Sequence, residues 1–484
     1  MIAVFTLFRK YLQTPLGPID DHEYPYYRNL NPSGNAWAAL GDGYDRAALE
    51  FANQARFRPI YHLGRTLSVA LFDQAALPRY TFRLLILSST LFLVGVIVAR
   101  FCRHSGVGYW TAHFFGVTAT IPFLALLPWP DVIGRLGPPD SLSWLGIVLF
   151  CFFIFLYFER NKAFKSLLFP AVLLMTGFRE NYAVLSSCLV ISPLLFPRFQ
   201  PLRKHPSIYF AAMISFLGSG LVFLTLAMQG GTDYYGNTRG FESLLDGATV
   251  MMSSNSFANL SFAGLVSLLC VPRRMRPVVG YMGLLATSIM FVEFLIYQET
   301  IFVYPRYGLV AKAIALVAWI STAMVLVVRF SGSRWSGRLK RSRGNGAMQF
   351  CCGVMLLAAV GAAMAPSLGR QEQVSRVQQR LALGFQVLLT DIQAQVIPGQ
   401  DVRILVDSAS AAYGEVDLSE RAISLQRFLA HALGSEANVE LSDIAGNAPN
   451  SAALDIGGRQ NCVLFGVSAD RPAPASCKST FYVY

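Results

Sequence analysis

Apolar blocks dominate this chain, several of them about the twenty residues long that an α-helix needs to cross a hydrocarbon core, and they limit what it can become. The clearest blocks lie at 82–101, 108–127, 142–158, 208–228, 278–297, 309–328 and 348–364. Residues 164–196 are equally apolar but are broken by GFRENY, which reads as two short helices meeting at Arg179 and Glu180; residues 257–271 add another short span. The expectation is an α-helical multi-pass membrane protein with about ten transmembrane helices. Of the 484 residues, 54% are hydrophobic and only 14% charged, and the mean hydropathy is +0.45, which leaves too little polar surface for one large soluble core.

Charge sets the orientation. The net +12 collects in alternate connections: FCRH at 101–104, ERNKAFK from Glu159, PRFQPLRKH from Pro197, PRRMRP from Pro272 and RFSGSRWSGRLKRSRG from Arg329. All five fall on one side, which the positive-inside rule makes the cytoplasm. The protein is therefore expected in the cytoplasmic (inner) membrane, with its other connections extracytoplasmic or periplasmic. Basic runs at the ends of spans, rather than a basic face interleaved with aromatics, argue against a nucleic-acid partner and for membrane lipids with acidic headgroups.

The outward segments are then 14–81, 129–140, the break at Arg179 and Glu180, 230–256, 298–307 and everything beyond about 366. In the long first loop, Ala47, Ala48 and Phe51 recur at near-helical spacing and GRTLSVALF continues the apolar stripe, as expected of interfacial helices. Beyond the last span, Val374, Val377, Leu381, Phe385, Leu388 and Ile392 mark a helix. The alternation in DVRILVD marks a strand, Asp417 with Glu420 a capping box, and NCVLFGVS and STFYVY two more strands. The chain thus divides into a transmembrane domain, 1–366, and a small soluble α+β domain, 367–484. Cys462 and Cys477 lie in the outward domain and are read as a disulfide pair, whereas the cysteines inside apolar blocks behave as small hydrophobes. MIAVFTLF before Arg9 and Lys10 is too short to span; it is either a re-entrant stub or, as preferred, the remainder of a helix that begins upstream.

The strongest chemical signal is IDDHEY, where Asp20, Asp21, His22 and Glu23 stand together just outside the membrane. Three acids in four positions repel. They are held by a divalent metal, by Arg or Lys, or by one carboxyl staying protonated; otherwise they form a solvated acidic turn. His22 and His62 lack a second histidine at metal spacing, and His22 is the better ligand of the two. Asp131 and Asp140 occupy the second outward loop, where Asp140 serves equally well as an N-cap of the next span. Arg179 beside Glu180 between short apolar helices suggests a cavity-lining pair. Tyr234 and Tyr235 suit a sugar face or the interfacial aromatic belt.

Taken in order, the acidic IDDHEY in a long first outward loop, the acidic second loop DVIGRLGPPD, the many spans with basic inward connections and the outward C-terminal domain resemble the membrane glycosyltransferases of GT-C fold. The resemblance covers the architecture of nearly the whole chain, although the shared motif is short and the family's first span is missing. It implies a polyprenyl-phosphate-linked sugar donor and a glycan, lipid or protein acceptor. In that reading Asp20 or Asp21 is the general base on the acceptor hydroxyl, with Glu23 in the same acidic cluster. Arg58, Arg179 and Arg306 lie near the donor phosphate, and Glu180 and Asp140 line the substrate site. A divalent ion (Mg, Mn or Ca) on Asp20, Asp21 and His22 is an optional part of that site. No Walker, GxGxxG or HExxH motif occurs. The competing readings are a secondary transporter or flippase of lipid-linked sugars, and a receptor or assembly factor whose acids are structural.

Overall fold

The computed structural model describes residues 1–17, 23–30, 35–54, 58–73, 75–104, 107–136, 140–158, 164–178, 182–195, 231–232, 238–239, 241–254, 276–297, 309–317, 345–395, 402–406, 424–431, 439–443, 451–456, 459–465 and 480–483, with a few isolated positions between them. These residues are mainly helical, as the apolar periodicity requires.

The residues before the first long apolar helix fold into short helices. A short helix, α1 (Ile2–Leu7), and a 3-10 turn (Arg9–Gln13) bury Phe8 and Tyr11 completely. Three helices follow: α2 (Glu23–Leu30), α3 (Ala36–Gln54) and α4 (Pro59–Phe72). The last begins with a proline at its first position, where a missing N–H leaves no helix bond unmade. It ends at Asp73, whose φ of 47° turns the chain into the next helix.

The long apolar helices form the core. They are α5 (Ala76–His104), α6 (Tyr109–Leu126), α8 (Asp140–Phe158), α9 (Phe164–Phe178) and α10 (Ala183–Leu195), with the single-turn α7 (Trp129–Ile133) between α6 and α8. Further along lie α11 (Phe241–Ser253) and α12 (Arg276–Tyr297). Ala76–His104 and Arg276–Leu295 are long and apolar enough to cross a membrane by length and composition, and Ser141–Tyr157 is a shorter apolar helix. Where α5 and α6 cross, the backbones nearly touch: a Cβ on Gly95 would sit 3.2 Å from the Gly116 carbonyl, and one on Gly116 3.0 Å from the Ala99 Cβ. Small residues at a helix crossing let dispersion contacts build up where apolar surroundings give no hydrophobic drive. Expected spans at 208–228 and 257–271 lie almost wholly outside the described residues.

One feature departs from the segmentation expected of the sequence. The span at 348–364 and the stripe at 374–392 belong to a single helix, α13 (Asn345–Gln395), 51 residues long and running through Pro366. Proline removes one backbone bond, but this helix runs on through it. The boundary drawn between 366 and 367 therefore falls inside one rod of about 77 Å, which packs on α6 and on the N-terminal 3-10 turn. Beyond it, five strands pair in the order β4-β3-β5-β6-β7: β3 (Val402–Val406), β4 (Val439–Asp443), β5 (Ser451–Ile456), β6 (Arg459–Phe465) and β7 (Thr480–Val483). The β3/β4 and β6/β7 pairs are parallel, and helical residues 424–431 lie in the β3-to-β4 crossover. A two-stranded ribbon, β1 (Gly231–Thr232) with β2 (Thr238–Arg239), stands apart in the sequence.

Candidate functional site

Three arginines meet where α2 and α4 pack on the start of α5. Arg65 lies four residues after Tyr61 on α4; its guanidinium stands 4.9 Å from the Tyr24 ring and 5.2 Å from the Tyr61 ring, and its Nη1 donates to the Tyr24 hydroxyl. Arg79 stacks 3.9 Å from the centre of Tyr24. Its Nε donates to Ser68 Oγ (3.2 Å) and its terminal nitrogens to the carbonyls of Ala75 (2.9 Å), Ser68 (3.2 Å) and Asp73. One turn on, Arg83 donates to the carbonyls of Val132 (2.5 Å), Leu136 (2.6 Å) and Arg135, and the Tyr24 hydroxyl donates to the Leu136 carbonyl at 3.1 Å. All three arginines are more than nine-tenths buried.

Together they line a small pocket of about 110 Å³, partly open to solvent, with an apolar wall of Phe72, Phe82 and Leu142. Carbonyl and cation–π contacts orient a guanidinium and leave it protonated. Three such heads in one pocket suit an anionic group, and the adjoining apolar wall suits one carried on a hydrocarbon.

A second polar cluster ties the first-loop helices together. Glu50 of α3 takes both arms of Arg58, one through Nε at 3.3 Å, and its Oε2 lies 2.7 Å from His62 Nε2. The other ring nitrogen of His62, Nδ1, lies 2.7 Å from the Tyr27 hydroxyl of α2. Arg58 also sits 4.6 Å over Tyr61, one ring away from Arg65. Carboxylate, imidazole and phenol thus form a buried chain across α2, α3 and α4. A low-dielectric setting strengthens each of these bonds.

The residues expected from sequence fall in several places. Asp20, Asp21 and His22 lie outside the described residues, immediately before α2; Glu23 is the first residue of α2. Asp140 is the first residue of α8. Arg179, Glu180, Arg306, Tyr234, Tyr235 and Cys477 lie outside the described residues, while Cys462 stands opposite Thr480 across β6 and β7. Asp131 is in the first turn of α7. Arg58 lies on Glu50 and is not part of the pocket wall. Among the described residues no three of His, Cys, Asp and Glu converge as metal ligands. Arg65, Arg79, Arg83, Tyr24 and Tyr61 were not singled out from sequence; the signals that could have found them are the i,i+4 spacings Tyr61–Arg65 and Arg79–Arg83 in otherwise apolar stretches. No family model, curated protein or solved structure matches this chain.

Proposed function

We propose that this chain is a multi-pass glycosyltransferase of the cytoplasmic membrane, with residues 367–484 forming a soluble α+β domain on the outer side, joined by a Cys462–Cys477 disulfide. It transfers a sugar from a polyprenyl-phosphate-linked donor to an extracytoplasmic glycan, lipid or protein. The observation that carries this reading is the pocket of Arg65, Arg79 and Arg83, which offers cations beside an apolar wall next to α2, the helix that follows the acidic segment.

In this scheme Asp20 or Asp21 takes the proton of the acceptor hydroxyl as its oxygen attacks the anomeric carbon. The bond from that carbon to the phosphate oxygen breaks, and the lipid phosphate leaves as an anion stabilised by the arginines, its chain lying along Phe72, Phe82 and Leu142. Single displacement inverts the sugar. A divalent ion (Mg, Mn or Ca) on Asp20, Asp21 and His22 would steady the phosphate, and the transfer balances without it.

The test is transfer of radiolabelled sugar from polyprenyl-phosphate donors in membranes holding equal amounts of wild type, Asp20→Asn, Asp21→Asn and Arg65→Gln. Transfer by wild type, with at least a hundred-fold loss in one acid variant and at least ten-fold in Arg65→Gln, is expected; full activity in both acid variants would end the catalytic assignment. One observation favours the rival reading of a transporter or flippase: Glu293, fully buried within α12, is the kind of ionisable group that lines a translocation path. If wild type transfers no sugar but moves lipid-linked sugar across proteoliposomes, and Glu293→Gln stops that movement, the rival stands.

A further inference from the structure

The connection after α6, described over residues 127–136 and leading into the second outward loop, is held from two sides. From α5, Arg83 holds its far end through the carbonyls of Val132, Arg135 and Leu136. From the other side the contacts come from α13, beyond Pro366. Gln371 Nε2 donates to the Leu127 carbonyl at 2.7 Å and to the Ala125 carbonyl at 3.2 Å, where α6 ends and the loop begins. Two helical turns further, Gln378 Oε1 accepts from the Tyr11 hydroxyl, which also lies 3.3 Å from the Pro130 carbonyl. Tyr11 stacks on Tyr80 at 5.4 Å, and the Tyr80 hydroxyl reaches the Gly134 carbonyl at 3.4 Å. Nothing larger than glycine fits at 134, because a Cβ there would lie 2.8 Å from the Tyr11 hydroxyl and closer still to Gln378. Tyr11 is fully buried, and burial raises its phenol well above the ordinary tyrosine range, so it stays a neutral hydrogen-bond donor.

We propose that the outer half of α13 positions the arginine pocket: Gln371 and Gln378, with Tyr11 between helix and loop, fix the second outward loop so that its carbonyls hold Arg83. The physical reason is that a guanidinium bound by carbonyls is only as well placed as those carbonyls. A loop containing Pro128, Pro130 and Gly134 has few backbone bonds of its own with which to hold them. These glutamines are positioning residues, since they reach the pocket only through the loop. The claim about phosphate rests on the pocket reading given above; the claim about the loop does not.

Hydrogen exchange of peptides covering 127–136, measured on the full chain in lipid nanodiscs, separates the two. Gln371→Glu removes the donor and sets a carboxylate against two carbonyls, whereas Gln371→Lys keeps a donor at that position. The expected result is about five-fold faster exchange in 127–136 for Gln371→Glu and Tyr11→Phe, the loss of roughly one net hydrogen bond, with Gln371→Lys near wild type and α8 and α9 unchanged. Unchanged exchange in 127–136, or equal acceleration with Glu and with Lys, would overturn the proposal, as would acceleration spread evenly over the helices. Binding of dodecyl phosphate to the same samples is the second arm: weakening of about five-fold in Gln371→Glu, less than in Arg83→Gln, is expected. Faster exchange in a protein whose wild type binds no dodecyl phosphate would keep the positioning role and sink the phosphate reading instead. Faster exchange with unaltered phosphate binding would overturn the link from loop to pocket.

Discussion

At the scale of single residues, the arginines divide by what they touch. Arg58 was expected near the donor phosphate on the strength of the family resemblance. Its guanidinium is in fact bound to Glu50, with side chains only 14% and 10% exposed. Removing one partner of a pair that dry leaves the other charge stranded, which costs about 3 kcal/mol. Glu50→Gln is therefore expected to lower the thermal unfolding midpoint in detergent by several degrees, more than His62→Gln does, because two partners lose their acceptor. Arg58→Lys is expected not to match wild type, since an ammonium cannot bind both oxygens. Arg65, Arg79 and Arg83 escaped the sequence reading for a physical reason: they stand apart along the chain, and the turn at Asp73 between α4 and α5 lets their side chains converge on one pocket. The acidic cluster was legible because its charges are adjacent; a cluster made by folding carries no such local signature.

At the scale of elements, the apolar blocks were legible because period and length together define a helix. The helices Ala76–His104, Tyr109–Leu126 and Asp140–Phe158 match the expected blocks, the first of them running six residues further at its start and three at its end. Pairing was not legible, because it depends on where two backbones can approach. The crossing of α5 and α6 at Gly95 and Gly116 is the clearest instance. Gly116→Leu would force these helices apart, and overpacking of this sort costs about 2 kcal/mol; the expected outcome is a lower unfolding midpoint, with Gly283→Leu, whose Cβ would meet open space, nearly neutral. The continuity of α13 through Pro366 was missed because proline reads as a stop in sequence, whereas this helix runs on through it.

At the scale of the whole molecule, the C-terminal part is not an appendage. Phe385 and Ile392 of α13 are fully buried, and Phe385 packs edge-on against Phe428 of the helix at 424–431, 5.4 Å between centroids. That helix also faces the first-loop unit, where His431 lies within electrostatic reach of Asp73 and Arg28, themselves paired at 3.1 Å. Burial lowers the His431 imidazole below its ordinary 6.5; Asp73 acts against that shift and Arg28 with it. The released helix takes up a proton more readily than the docked one, so docking is strongest above about pH 6.5 and weakens as the pH falls below it. Hydrogen exchange of 424–431 is expected to quicken between pH 7 and pH 5.5, after correction for intrinsic rates, and His431→Gln to remove most of that dependence.

Under the proposed membrane placement, the uninterrupted rod of α13 would couple bilayer thickness to the N-terminal segment. Residues 345–366 span about 33 Å, close to a hydrocarbon thickness, and residues 367–395 extend about 44 Å beyond them. A helix whose apolar stretch exceeds the local thickness tilts to fit. With residues 345–366 seated in lipid, a tilt of only about 5° swings the far end by about 4 Å, more than a hydrogen bond survives. Gln371, near the fulcrum, would hardly move, while Gln386, whose Nε2 holds the Leu16 carbonyl at 3.0 Å, sits far along the lever arm. Membrane thickness would then act on the segment leading into IDDHEY as a mechanical input, with no ligand required to transmit it.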